Sequence, residues 1–218
     1  SRAFVNGLSA AYIYSGGATI DTPGTNAPAI FLAGLLAPSG YGLVSIATNL
    51  SCGGAYIGAP VVQITGGSGT GAMAVAQVDF ATGSITNFLV VNPGTGYQAA
   101  DTLTVALSGG SPLTAPTNFT ITGASLAANA GGGLTKTGSG ILILGGTNTF
   151  AGPISVQGGI LDLAFAAPHM TNLTLAANAG MAFGVGGPGT LSEPVISNLL
   201  VTRFAAGNSF GLDTSAGE

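Results

Sequence analysis

The stretch "GGLTKTGSGILILGGTNTFAGPISVQGGILDL", residues 132–163, decides the fold. It alternates short apolar runs with glycines and contains two charged residues, Lys136 and Asp162. The runs "ILIL" (141–144) and "ILDL" (160–163) are rich in branched apolar side chains and end at turn residues, which predicts short β-strands. Glycine tolerates the positive φ of tight corners and leaves room where backbones approach closely. We therefore expect short strands joined by glycine corners.

The rest of the chain follows the same pattern. Gly or Pro interrupts nearly every window of helical length, so we predict no helix. Other apolar runs are bounded by turn residues and partly alternate, as strands do. These further predicted strands are residues 74–80, 85–91, 101–107, 153–156, 172–175 and 198–201.

Charge is scarce in this sequence. Charged residues make up 5% of the 218 residues and the net charge is −4, whereas about a quarter of an ordinary soluble domain is charged. Charged side chains keep folded monomers apart, so their scarcity predicts a homo-oligomer or homopolymer. Three basic residues cannot form a patch that follows phosphates, which argues against a nucleic-acid partner.

The apolar segments of this chain are short. No apolar run reaches the roughly 18 residues that span a bilayer, so we predict no membrane insertion of this segment. A hydrophobic content of 46% is far from the composition of disordered chains. No signal peptide is visible and the first residue is not Met, which we interpret as a piece processed from a longer protein. The terminal segments "SRAFVNG" and "GLDTSAGE" are not expected to form a capping helix.

Two internal repeats indicate a solenoid. "LAANAG" occurs at residues 126–131 and again at 175–180. A longer unit, aromatic residue then strand then double glycine, occurs at 55–72 and 96–112, with Tyr56 matching Tyr97. Units too small to bury an apolar face alone do so by stacking, and stacked β-strands lie about 4.8 Å apart.

The opening stretch resembles the autotransporter-associated β-strand repeat, also called the passenger-associated transport repeat. The family pattern is roughly GGLTKxGxGTLxLxGxNTYxGxTxVxxGxLxL, and it is matched by "GGLTKTGSG" (132–140), "GTNTF" (146–150) and "GGILDL" (158–163). Phe150 stands where Tyr is usual and Ile141 where Thr is usual. Residues 164–211 resemble the family more loosely.

The resemblance implies an all-β fold, a right-handed parallel β-helix, in an exported bacterial protein that is displayed at the cell surface or secreted. It does not imply one activity, because such passengers include adhesins, matrix proteins and stalks. The segments 14–22 and 66–97 are similar to sequences found beside these repeats in large bacterial surface proteins.

The predicted organisation has three parts. Residues 1–41 form N-terminal solenoid coils, residues 42–112 a Gly-rich β module or widened coils with an internal repeat, and residues 113–218 further coils containing the repeat at 132–163.

Residues with catalytic or ligand-binding chemistry are few and scattered. His169 is the only histidine and has no metal-ligating neighbours in sequence, so a loop or corner position is favoured. Cys52 is a nucleophile only with a histidine beside it, and a small buried or corner residue is favoured. Glycosidases need two carboxyl groups about 5–9.5 Å apart. Asp162 has no second acid one coil later, and the five aspartates are spread along the chain: Asp21, Asp79, Asp101, Asp162 and Asp213.

Other features are interpreted as structural. "GGSGTGA" (66–72) lacks the lysine and helix of a phosphate loop and reads as a turn. Asn129 and Asn178 hold equal positions in "LAANAG" and, if stacked, form an asparagine ladder. The tyrosines either bind sugar or a partner chain or cap the ends of the core; they are Tyr12, Tyr14, Tyr41, Tyr56 and Tyr97. The sequons at Asn49, Asn118 and Asn172 carry little information in a chain rich in Ser and Thr.

We thus predict no catalytic residue, no cofactor and no metal site, and no enzymatic activity. The predicted function is an extracellular structural protein that self-associates through solenoid edges into a fibre, filament or matrix, with an adhesive role toward surface glycans or matrix. The alternatives are a passive stalk or adhesin passenger of an autotransporter, and a carbohydrate-binding or carbohydrate-cleaving β-helix.

Overall fold

The computed structural model describes residues 2–5, 7–8, 10–24, 27–48, 52–165 and 170–214, with the backbone alone for residues 2–5 and 171. The chain divides into two compact units. The first unit comprises Ser1–Ala37 and Ala130–Glu218, and the second, Pro38–Asn129, is inserted between these segments.

The described residues form nineteen strands and one α-helix. The first unit contains β1 (Arg2–Val5), β2 (Ala11–Tyr12), β3 (Ala18–Asp21), β4 (Ala29–Phe31) and β5 (Leu35–Leu36). The second contains β6 (Tyr41–Leu43), β7 (Val61–Gly66), β8 (Met73–Asp79), β9 (Ser84–Asn92), β10 (Leu103–Ser108), β11 (Phe119–Ile121) and β12 (Leu126–Ala128). The first unit resumes with β13 (Leu134–Thr137), β14 (Ile141–Leu144), β15 (Ile154–Val156), β16 (Ile160–Leu163), β17 (Leu173–Leu175), β18 (Gly180–Gly184), α1 (Glu193–Arg203) and β19 (Ser209–Asp213).

Every strand pair in the first unit is parallel. One sheet has the order β1-β4-β14-β16-β18-β19 and another has the order β17-β15-β13-β3, while β2 pairs with β5. From β13 to β18 the chain enters these two sheets alternately, and each pair of consecutive strands, called a coil below, is in parallel register with the next pair.

The apolar core of the first unit is built from columns of side chains at equal register. In the six-stranded sheet one column contains Phe31, Leu144, Leu163 and Phe183, all at most 5% exposed. In the four-stranded sheet Leu134, Ile154 and Leu173 form another column, each at most 1% exposed. Alternate residues of these short strands point inward, which explains why four-residue apolar runs suffice to build a core.

Glycine at the corners allows neighbouring coils to touch through their backbones. The Gly152 N–H donates a hydrogen bond to the Gly132 carbonyl at 2.9 Å. A Cβ atom on Gly152 would overlap backbone atoms of Gly132 and Gly133, and rotating a side chain cannot relieve such an overlap.

Replacing Gly152 by Ala is therefore expected to lower the free energy of unfolding by about 2–3 kcal/mol. Urea denaturation followed by far-UV circular dichroism measures this change. Gly16→Ala is the matched control, because a Cβ on Gly16 has no atom within 4 Å. A similar decrease in the free energy of unfolding in both variants would contradict the close backbone contact at Gly152.

The second unit is antiparallel. Its strands form a sheet β11-β10-β7, a hairpin β8-β9 and a pair β6-β12. Ile64 and Val105, at equal positions in the repeated segments, pair with each other across β7 and β10. A Cβ on Gly110 would meet the Tyr56 ring, and one on Gly69 would meet the Tyr97 ring, so each repeat packs its aromatic residue on the other's glycine. The repeat thus builds a local two-fold arrangement.

Most predicted strands are confirmed with small shifts at their ends, and the all-β expectation is met apart from one helix. The strand predicted at 198–201 is wrong, because this segment lies in α1. Residues 190–206 contain no glycine and α1 begins with Pro194 in its first turn, with Glu193 in that turn and Arg203 in the last. Pro and an acid at the start and a base at the end favour a helix. The absence of glycine over this window was the missed signal.

The observed units do not follow the predicted division of the chain at 41/42 and 112/113. Residues 113–129, predicted as β-helix coils, belong to the second unit, because β11 pairs with β10 and β12 pairs with β6.

Candidate functional site

An acidic groove lies on the outer face of the six-stranded sheet. Asp162 follows the buried Leu161 in β16 and points outward between Ile143 and Ala182 of the adjacent strands. The groove, about 470 Å³, is also lined by Phe165 and by Asp213 of β19. The structure thus brings together two carboxyl groups from strands that are two places apart in the sheet.

The carboxyl group of Asp162 is partly buried and has a raised pKa. Among the described residues, its Oδ1 atom is buried and has no hydrogen-bond partner. Burial raises the pKa of Asp162 to about 6, and the neighbouring Asp213 carboxylate adds to this increase. A carboxyl group with this pKa gains a proton in mildly acidic solution, whereas an ordinary aspartate remains ionised there.

The sequence could not show this pair. One coil beyond Asp162 the register position is Ala182, as the absence of a second acid predicted. Asp213 lies one strand further, beyond a coil that contains α1 instead of a second strand. The long connection through α1 breaks the repeat spacing, so the proximity of these acids is visible only in the fold.

A buried lysine closes the corner after β13. Lys136 is 0% exposed and points inward from β13, next to Leu134 two residues before it. Its ammonium group donates hydrogen bonds to the carbonyls of Thr137 and Gly138 at 2.8 Å and of Gly158, one coil further, at 2.9 Å. Burial lowers the pKa of Lys136, and the Asp21 carboxylate acts in the opposite direction. The side chain therefore joins two coils through their corner carbonyls.

A buried asparagine performs a similar task at another corner. The Asn148 side chain, 1% exposed, accepts a hydrogen bond from the Leu35 N–H at 3.0 Å. It donates one to the Gly146 carbonyl at 2.8 Å. Phe150, two residues later, is 0% exposed in the core. The Lys, Asn and aromatic positions of the family motif are occupied by Lys136, Asn148 and Phe150. These three side chains therefore have structural roles.

Residues 134–163 match the passenger-associated-transport-repeat family.

This segment is similar to a passenger-associated transport repeat.

The match confirms the resemblance inferred from the motif and extends over β13 to β16. No curated protein and no solved structure matches the chain. Asp162 of the acidic groove belongs to the repeat, whereas Asp213 lies outside it.

The glycine-rich loop of the second unit is already occupied by a carboxylate. Asp101 accepts hydrogen bonds from the Ser68 N–H at 2.9 Å, the Ser68 hydroxyl at 2.7 Å and the Gln98 N–H at 2.9 Å. The bonds from Gln98 and Ser68 lower the pKa of Asp101. A phosphate at this loop would meet a negative charge and find the Ser68 donors engaged, which agrees with the turn predicted for 66–72.

Cys52 and two tyrosines are internal to the second unit. Cys52 is buried, and burial raises the pKa of its thiol, which disfavours the nucleophilic thiolate. The Tyr56 hydroxyl donates to the Cys52 carbonyl at 2.7 Å. Tyr56 and Tyr97 are 2% and 4% exposed and cannot present a sugar-binding face. His169, the histidine considered with Cys52, lies outside the described residues.

The remaining tyrosines and asparagines differ in their surroundings. Tyr12, 40% exposed, lies with its ring centroid 6.5 Å from that of Tyr14, while Tyr41 is half-buried. Asn129 donates to the carbonyls of Ser39 and Gly94 in the second unit.

Asn178 is in the first unit and takes a positive φ of 63° at the turn between β17 and β18. Asn129 and Asn178 therefore do not hold equal positions on stacked coils, and the ladder is not formed. Asn208 instead bridges neighbouring coils through the carbonyls of Ala176 and Ala179, a role the sequence did not reveal. Among the sequons, Asn118 and Asn172 are exposed, and Asn49 lies outside the described residues.

In the described part of the chain, no three His, Cys, Asp or Glu side chains come together to hold a metal ion. None of the helices in the same residues has the length and hydrophobicity needed to cross a lipid bilayer.

Proposed function

We propose that this chain is a structural segment of an exported bacterial passenger protein, located at the cell surface or secreted. In this proposal the first unit is a right-handed parallel β-helix, and the chain has no enzymatic activity. Its task is self-association into a fibre, filament or matrix, with an adhesive role toward surface glycans or matrix.

The observation that carries the proposal is the passenger-associated transport repeat built into parallel stacked strands. The repeat family implies display or secretion. The polar markers Lys136 and Asn148 are directed into corners that join coils, so the motif's own chemistry serves the fold. This use of the motif supports a structural task.

Self-association is supported by the scarcity of charged residues and by the two edge strands of the six-stranded sheet. Ten charged residues in 218 provide little repulsion between copies. The six-stranded sheet begins at β1 and ends at β19, and an edge strand offers unpaired backbone groups to another chain.

A passive stalk or adhesin passenger is the first alternative, and it requires a chain that stays monomeric. A carbohydrate-cleaving β-helix is the second, and the pairing of Asp162 with Asp213 favours it. However, catalysis on a sugar requires carboxyl oxygens that reach the substrate, and Oδ1 of Asp162 is buried. We therefore retain the structural function as the proposal.

Sedimentation velocity and negative-stain electron microscopy of the purified chain over a concentration series of about 1–100 µM test self-association. We expect assemblies whose size grows with concentration. Their formation should change little between low salt and 0.5 M NaCl, because few charges are available to be screened. Monomers at every concentration would overturn the self-association proposal and leave the passive stalk.

A further inference from the structure

The last strand of the first unit exposes residues that occupy core positions. Phe210 and Leu212 of β19 stand in register with Met181 and Phe183 of β18. Met181 and Phe183 are 1% and 0% exposed, whereas Phe210 and Leu212 are 41% and 56% exposed. The apolar column therefore continues to the end of the sheet, but no coil among the described residues covers its last members.

An apolar groove of about 440 Å³ lies beside these residues. Ile196 and Leu200 of α1 form one wall and Phe210 and Leu212 form the other. α1 contacts β17, the edge strand of the four-stranded sheet, and thus partly covers that sheet. The outer edge of β19 pairs with no strand of the described residues. The end of the unit thus combines an open β edge with an open apolar groove.

The opposite end of the same unit is also incompletely covered. Ala18 and Ile20 of β3 are in register with Leu134 and Lys136, which are 1% and 0% exposed. Ala18 and Ile20 are only half-buried although they pack against the same core. In the first coil, Leu8 between β1 and β2 is 55% exposed.

We propose that the β19–α1 end binds the β1–β3 end of a second copy, head to tail. This inference rests on the proposed self-association and names the surfaces that perform it. All strands of the sheet are parallel, so a copy translated along the stack places its β1 beside β19 with the same direction. Along the sheet, the row of backbone register positions that ends at Leu212 begins at Val5, so the second copy continues this row.

Other arrangements fit these ends less well. A two-fold contact between identical ends places two β19 strands antiparallel and interrupts the parallel register. A helix or loop docked in the groove leaves the backbone groups of the β19 edge unpaired, and unpaired groups that become buried are costly. A head-to-tail contact uses two different surfaces and does not close, so it produces a linear polymer.

The test uses two variants of the full chain, each blocking one end. Leu212→Glu places a charge in the groove at a residue that is already 56% exposed. Ala18→Glu places one at the opposite end, and Leu8→Glu replaces it if Ala18→Glu does not fold by circular dichroism. Leu113→Glu, at an exposed position of the second unit, is the control for the added charge.

Sedimentation velocity is expected to show wild type and Leu113→Glu assembling alike, and each end variant weakened about tenfold or more. An equimolar mixture of the two end variants should form dimers, because each retains the end that the other lacks. Assembly of Leu212→Glu at wild-type strength, or a mixture that stays monomeric, would overturn the head-to-tail contact while self-association stands. A wild-type chain that is monomeric throughout would overturn both proposals.

Discussion

Replacing Lys136 by Met is expected to lower the free energy of unfolding by about 3–5 kcal/mol. Met keeps the length and apolar stem of the side chain but removes the ammonium group. The carbonyls of Thr137, Gly138 and Gly158 then lose a donor at a corner that is partly buried. Because Gly158 belongs to the next coil, the substitution also removes a link between coils. Urea denaturation followed by circular dichroism measures the change.

The control for Lys136→Met is Gln157→Met. It removes a polar head group of similar size from an exposed position in the same repeat. We expect this control to change the free energy of unfolding by less than about 0.5 kcal/mol. If Lys136→Met were as stable as the control, the three hydrogen bonds would make no net contribution to the free energy of unfolding.

The repeat was the part of the fold that the sequence could predict best. Its strands are bounded by glycines that cannot bear a Cβ, as Gly152 illustrates, so the glycines in the sequence mark the corners of the structure. The apolar runs needed no long-range information, because each coil repeats the contacts of the coil before it. For the same reason the family of the segment could be inferred from its motif.

Other features depend on contacts that no local pattern encodes. No local pattern around Lys136, which lies between two threonines, indicates burial, and only the tertiary structure shows that its ammonium group binds carbonyls of two coils. The segment 198–201 has the composition of a buried strand, but its helical neighbours decide its structure. The antiparallel second unit depends on pairing between β7 and β10, which are distant in sequence.

The acid pair is the clearest case of a site that depends on tertiary structure. Asp162 and Asp213 have no common motif, and α1 lies in the coil between them. Their effect on each other follows from two strands that flank β18 in the same sheet. The sequence supplied both residues, and the fold determined that one of them titrates near pH 6.

Replacing Asp162 by Asn is expected to stabilise the protein at neutral pH and to reduce its pH dependence. The pKa of Asp162 is raised in the folded state to about 6 from an ordinary value of 3.8. The contribution of Asp162 to the free energy of unfolding is therefore fully present below pH 3.8, and it is lost as pH rises through about 6. Allowing for partial exposure, the wild type should lose about 1–2 kcal/mol more than Asp162→Asn between pH 4 and pH 7.5.

The difference between the two proteins isolates Asp162 from other titrating groups. The lowered pKa of Asp101 has the opposite effect, since its contribution is lost as pH falls, but wild type and variant share it. Urea denaturation of the two proteins across this pH range provides the measurement. Parallel pH profiles for wild type and Asp162→Asn would mean that this carboxyl group is hydrated like an ordinary aspartate, and the acidic groove would have no influence on folding.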